Sequence, residues 1–130
     1  MSVELNHTIV HARDKAASAA FLAGILDLPV EDQWGPFLPI VLSNGITLDY
    51  VDDPAAEIQP QHYAFLMSDA EFDAAFARVR EADITYWADP HHHKPGEINH
   101  EYGGRGVFFE DPTGHNMELM TVPYSRTYPR

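Results

Sequence analysis

The residue pattern of the first half of this chain returns in the second, and that repetition constrains the fold more than any other feature. Moving forward by 55 positions carries His7 onto His62, Asp14 onto Asp69 and Ala19-Ala20-Phe21 onto Ala74-Ala75-Phe76. The glycines of two turn signals, Gly45 and Gly114, also correspond, and four residues beyond each stands a carboxylate, Asp49 or Glu118. Alanine-rich helices match one another easily. The weight therefore rests on the paired histidines and the paired glycine-carboxylate spacings.

Each half reads as a strand, a helix and then three strands. Alternation from Val3 to His11 predicts a strand whose Val3, Leu5, His7 and Ile9 share a face turned to the interior. Asp14 opens a helix to Leu28 with Ala16, Ala20, Phe21 and Ile25 as its apolar stripe, ended by Pro29. Strands over Phe37–Leu42 and Ile46–Val51 meet at Ser43-Asn44-Gly45, a hairpin signal. After a polar, proline-bounded linker the order restarts. His62–Met67 reads as a strand, Asp69–Ala82 as a helix, and Ile84–Trp87, Val107–Phe109 and Asn116–Val122 as strands.

The 130 residues thus predict one α+β domain with a first module over about 3–51, a linker over 52–60, a second module over about 61–122 and a tail over 123–130. Neither module is large enough to be very stable alone. Two βαβββ modules packed together make a curled mixed sheet with helices outside and a cleft inside.

Charge narrows the partners. Eight Lys and Arg against 20 Asp and Glu give a net charge of −12, and the basic residues are scattered, which excludes a phosphate-neutralising nucleic-acid surface. No apolar stretch approaches the ~20 residues of a membrane helix, and Met1-Ser2-Val3-Glu4 carries no secretory pattern, so a cytoplasmic protein with a small-molecule partner is expected. With no cysteine, any metal must be held by His and carboxylate.

His7, His62 and Glu118 are the candidates. Each has an ordinary structural reading: the histidines as hydrogen-bonded core residues, Glu118 as a paired acid amid Met117, Leu119 and Met120. A carboxylate among apolar neighbours is costly unless it is paired, protonated or metal-bound. Two imidazoles and one carboxylate with open positions suit Fe(II), Mn(II), Ni(II) or Zn(II). Spacing alone does not show that the three converge.

The stretches Leu5-Asn6-His7-Thr8, His62-Tyr63-Ala64-Phe65 and Asp111-Pro112-Thr113-Gly114-His115-Asn116-Met117-Glu118-Leu119 resemble the vicinal oxygen chelate superfamily. It comprises glyoxalase I, extradiol dioxygenases, fosfomycin-resistance thiol transferases and bleomycin-binding proteins. The resemblance runs from about Val3 to Val122. It implies a divalent metal, Fe(II) in first place, on His7, His62 and Glu118, with substrate chelated through adjacent oxygens. It also implies a homodimer. Asp49 stands where glyoxalase I-like members place a longer fourth ligand, and four readings stay open for it: a direct ligand, a ligand through water, a hydrogen-bond partner of substrate, or a solvent-facing acid.

Two departures from the family patterns bear on the reaction. Phe108 occupies the position, ten residues before Glu118, where related extradiol enzymes carry tyrosine, and no histidine lies between His11 and His62. Lys94 is no convincing match for the phosphonate-binding lysine of fosfomycin enzymes. The loop Ala88–Arg105 holds the remaining specificity signal, since long loops of unusual composition are often functional. His100 is the expected acid or base, Tyr102 a catalytic hydrogen-bonding partner, and Arg105 a clamp for a substrate carboxylate or phenolate. His91-His92-His93 reads as solvated surface and His115 as structural. Trp34, Phe37 and Trp87 are divided between pocket lining and core. The function expected is dioxygenase-like or lyase-like chemistry on a small oxygen-bearing molecule; the alternative is a non-catalytic drug-binding protein.

Overall fold

The computed structural model describes residues 2–125, so the end of the tail, 126–130, lies outside the described residues. The chain divides into two compact units, Met1–Pro60 with Asp111–Gly114, and Gln61–Glu110 with His115–Arg130.

In the first unit, β1 (His7–Ala12) is followed by α1 (Lys15–Leu26), β2 (Leu38–Val41) and β3 (Thr47–Asp52). The sheet order is β1-β3-β2, with β1 parallel and β2 antiparallel to the central β3. Asp14 starts α1 as its N-cap, its carboxylate accepting from the backbone N–H of Ala16 and Ala17. The helix stops at Asp27, two residues before Pro29, where the backbone turns left-handed at φ 55°. Leu42 and Ile46 close the predicted hairpin, with Gly45 at φ 86°. The strand expected to begin the hairpin stretch is reduced to a single bridge between Trp34 and Phe37, and the ladder proper begins at Leu38.

The second unit contains β4 (His62–Leu66), α2 (Asp69–Glu81), β5 (Tyr86–Trp87), a 3-10 turn Glu101–Gly103, β6 (Gly106–Glu110) and β7 (Asn116–Met120). The order β4-β7-β6-β5 again combines a parallel pair, β4 with β7, and antiparallel neighbours. Here the cap is Ser68, not Asp69. Its hydroxyl accepts from Glu71 N–H while the Glu71 carboxylate accepts from Ser68 N–H, a reciprocal capping box. Asp69 is freed for another contact, described below.

Side chains alternate across a strand, so the registers assign faces. Val10, Ala12, Ile40, Leu48 and Tyr50 are buried together with Ala19, Leu22, Ala23 and Ile25 of α1. The other face of that sheet carries His7, Ile9, Pro39, Val41, Thr47 and Asp49. The expectation that the Val3-Leu5-His7-Ile9 face turns inward is therefore corrected within this unit. Val3 is 100% exposed, Leu5 63% and Ile9 41%. Both phases of β1 carry apolar residues, and the phase beneath the helix is the one holding Val10 and Ala12.

In the second unit Phe65, Val107, Phe109, Met117 and Leu119 are buried on one face, with Phe72, Ala75 and Val79 the buried stripe of α2. Phe76 meets Tyr86 edge to face, at 4.9 Å between ring centroids. The opposite face carries His62, Ala64 and Leu66 beside Asn116, Glu118 and Met120, with Phe108 paired to Glu118.

Candidate metal centre

The registers place the repeated residues at equivalent points. His7 lies opposite Thr47, and two residues on, Ile9 lies opposite Asp49. His62 lies opposite Asn116, and two residues on, Ala64 lies opposite Glu118. In both units a histidine and a carboxylate are thus diagonal neighbours on the sheet face without a helix, across a parallel strand pair.

In the second unit the diagonal is closed. His62 Nε2 and Glu118 Oε1 are 2.9 Å apart. Glu118 is 2% exposed whereas the His62 side chain is 45% exposed, so the acid is the floor of the pair and the imidazole its open edge. The Phe108 ring stands edge-on to His62 at 5.6 Å and supplies an apolar wall. Burying a carboxylate here requires partners. Glu118 has a second one: Tyr124 Oη donates to Oε2 at 2.5 Å. Burial first, and then the hydrogen bond and charge of Glu118, raise the Tyr124 pKa well above the usual phenol value. The hydroxyl therefore remains a donor at neutral pH. Tyr124, two residues into the expected tail, was not singled out from sequence. Its only signal was an aromatic residue close after β7.

In the first unit the diagonal is organised differently. His7 Nδ1 lies 2.8 Å from Asn6 Oδ1. An amide oxygen only accepts, so Nδ1 is the donor in this contact. A hydrogen bond of this kind commonly orients a metal-ligating histidine. Asp49 is buried at 6% exposure. His7 and Asp49 line a cavity of about 380 Å³ together with Glu31, Trp34, Pro39 and Val41. Trp34 is 70% exposed and stacks on Phe37 with centroids 6.3 Å apart. Acidic and apolar groups dominate this lining.

Among the described residues no group of three or more His, Asp or Glu side chains gathers closely enough to hold a metal ion. The donor set, imidazole nitrogens and a buried carboxylate, fits a divalent ion in chemistry. Two of its members, His62 and Glu118, already meet.

The loop residues are distributed unequally. His100 is exposed and precedes the turn Glu101–Gly103. Tyr102, at the uncommon φ of 57°, stacks on Tyr124 with centroids 4.9 Å apart and so stands one residue removed from Glu118. Arg105, expected as a substrate clamp, is engaged by the framework. Its guanidinium donates to Asp73 Oδ1 at 2.6 Å and Asp69 Oδ1 at 2.9 Å and covers the Phe72 ring at 4.6 Å. The hydrogen bonds to Asp73 and Asp69 raise its pKa further. Of the histidine run, His91 and His93 are exposed as expected, but His92 is not free surface. It stacks on Trp87 at 3.7 Å, and its Nε2 lies 3.0 Å from Asn116 Oδ1. His115 is structural, fully buried, with Nδ1 accepting from Gln61 N–H.

The paired modules, the repeated His-carboxylate diagonals and the closing turn together define a class. Residues 4–119 match the Glyoxalase/Bleomycin resistance protein/Dioxygenase superfamily, and the chain belongs to that family. Within it, the chain is similar to a solved structure of Oxidase ChaP-H2, at 61% identity and a TM-score of 0.93 over 95% of this chain and 97% of that one. Oxidase ChaP-H1 is similar at 51% identity and a TM-score of 0.92, over 96% and 100%. Glutathione transferase FosA of Serratia marcescens is 28% identical over 126 residues, 92% of this chain and 81% of that protein. The described residues contain no helix long and apolar enough to cross a membrane.

Proposed function

We propose that this protein is a metal-dependent oxidase or dioxygenase of a small oxygen-bearing molecule, aromatic phenols and catechols included, with His7, His62 and Glu118 as the metal ligands. The observation that carries this reading is the 2.9 Å approach of His62 Nε2 to the buried Glu118 Oε1, at points that the repeat makes equivalent to His7 and Asp49. The 61% identity to a protein named an oxidase favours oxidative over lyase chemistry. Bound there, a divalent ion, Fe(II) before Mn(II), Ni(II) or Zn(II), supplies Lewis acidity and, as iron, redox capacity.

The chain's own residues have separable tasks. His62 and Glu118 present one nitrogen and one oxygen side by side, and Asn6 orients His7 through Nδ1. The cavity beside His7 offers the Trp34 face and the Pro39 and Val41 side chains to an apolar ring, while Asp49 accepts a hydrogen bond from a substrate hydroxyl. Glu31 and Asp49 disfavour an anion there, which separates this cavity from one built for a phosphonate. His100 and Tyr102 remain the assigned proton-transfer and hydrogen-bonding groups of the loop, and Arg105 serves the framework through Asp69 and Asp73.

His62 and Glu118 belong to one unit and His7 to the other. We propose a homodimer, for which the exposed Ile9, Trp34 and Val41 of the first unit offer an apolar contact surface. An aerobic screen of the Fe(II)-reconstituted protein with phenols and catechols, read by oxygen consumption, tests the reaction. Consumption that requires substrate and is lost in a His62→Ala variant is expected. Stoichiometric ligand binding with no turnover, and no dependence on metal, would instead identify a drug-binding protein.

A further inference from the structure

Glu118 has two carboxylate oxygens, and the structure gives them different partners. Oε1 faces His62 Nε2 at 2.9 Å, and Oε2 accepts from Tyr124 Oη at 2.5 Å. Tyr124 does not reach this position by chance of a loose end, because four contacts tie its segment to the end of the Ala88–Arg105 loop. Arg105 N–H donates to Thr121 Oγ1 at 2.9 Å, and Thr121 N–H donates back to the Arg105 carbonyl at 3.0 Å. Gly104 lies so close to the same segment that a Cβ there would stand 2.6 Å from Val122 Cγ2. Finally, Tyr102 stacks on the Tyr124 ring at an interplanar angle of 27°. Tyr102 holds a left-handed φ of 57° to do so, a conformation that side chains adopt at a cost and that packing must sustain.

We propose that Tyr124 is a positioning residue: aimed by the Gly104-Arg105 junction and the Tyr102 ring, its hydroxyl holds Glu118 Oε2 so that Oε1 alone is presented beside His62. The inference rests on the reading of Glu118 and His62 as metal ligands. It gives the loop a task distinct from touching substrate. With Oε2 held by the phenol, Oε1 would be the oxygen left to hold a metal ion, and room on that ion would remain for substrate. Without the phenol, Oε2 has no donor at that point, and the carboxylate is free to swing and offer both oxygens. Outer hydrogen bonds of this kind commonly change metal affinity by roughly 10–100-fold.

The test is Co(II) titration of the full chain, followed by visible absorption, for the parent, Tyr124→Phe and Tyr86→Phe. Tyr124→Phe keeps the stacked ring and removes only the donor. It is expected to weaken Co(II) by roughly 10-fold or more and to lower the visible band intensity as Glu118 adds a second oxygen to the ion. Tyr86→Phe removes a phenol of the same unit that packs on Phe76 away from Glu118, and is expected to match the parent in both readouts. Gly104→Ala, which displaces the segment without touching either tyrosine, should shift affinity and spectrum in the same direction as Tyr124→Phe. Parent-like affinity and spectrum in Tyr124→Phe would overturn the positioning role alone. Equal losses in Tyr124→Phe and Tyr86→Phe would overturn it as well, since general loosening then accounts for both. A parent that binds no Co(II) would overturn both this role and the metal reading beneath it.

Discussion

At the scale of single residues, Glu118 is a deeply buried acid and the most informative group of the candidate site. It is 2% exposed and its two oxygens are held by His62 and Tyr124. An amide of the same shape keeps an acceptor for Tyr124 and removes the cost of burying a charge, so a carboxylate kept for packing alone has no advantage over it. A ligand is retained at that cost. Glu118→Gln is therefore expected to leave the thermal midpoint of metal-free protein unchanged or raised by a few degrees, while abolishing metal retention. A variant that loses stability sharply and still retains metal would assign Glu118 to the framework instead. His62 and Glu118 were legible in the sequence through the repeat, which placed them at matching points before any contact was known. Tyr124 was not, because a lone aromatic beyond the last strand carries no periodicity. The role of Arg105 was equally hidden: its partners Asp69 and Asp73 lie 36 and 32 residues away, and nothing local announces them.

At the scale of elements, the strands and helices expected from alternation and capping residues are present, and the differences have local causes. Asp14 and Asp69 matched in sequence, yet only Asp14 caps its helix. Ser68 and Glu71 cap α2 and release Asp69 to Arg105. Ser68→Ala removes an N-cap, and chemical denaturation is expected to show a loss of about 1 kcal/mol with no change in metal content. A loss of metal together with that small destabilisation would mean that α2 and the site are coupled more tightly than the Asp69–Arg105 contact suggests. The phase of β1 was misread because both of its faces carry apolar residues, and alternation says which residues share a face but not which face a helix covers. The single bridge of Trp34 to Phe37 spans Pro36, and β5 holds only Tyr86–Trp87 of the expected Ile84–Trp87, so strand length was the least legible quantity.

At the scale of the whole molecule, the duplication predicted two modules of one design, and each unit shows the same parallel strand pair carrying a histidine and a carboxylate on its open face. The open face of the first unit includes Ile9 and Val41, each 41% exposed, beside the exposed Trp34. An apolar surface of this kind suits association with a second copy. If one copy lends His7 to the His62–Glu118 pair of its partner, mixing His7→Ala and Glu118→Ala proteins under exchange conditions rebuilds one intact site in each mixed dimer. Metal should then return to the mixture. A mixture as empty as its components would place all three ligands on one chain.

The central claim, that His7, His62 and Glu118 hold one divalent ion, is tested most directly by elemental analysis of metal per chain in the full-length protein and in His7→Ala and Glu118→Ala. The parent is expected to carry divalent metal, with iron foremost, and each variant to carry essentially none. Metal absent from the parent, or present unchanged in both variants, would contradict the account.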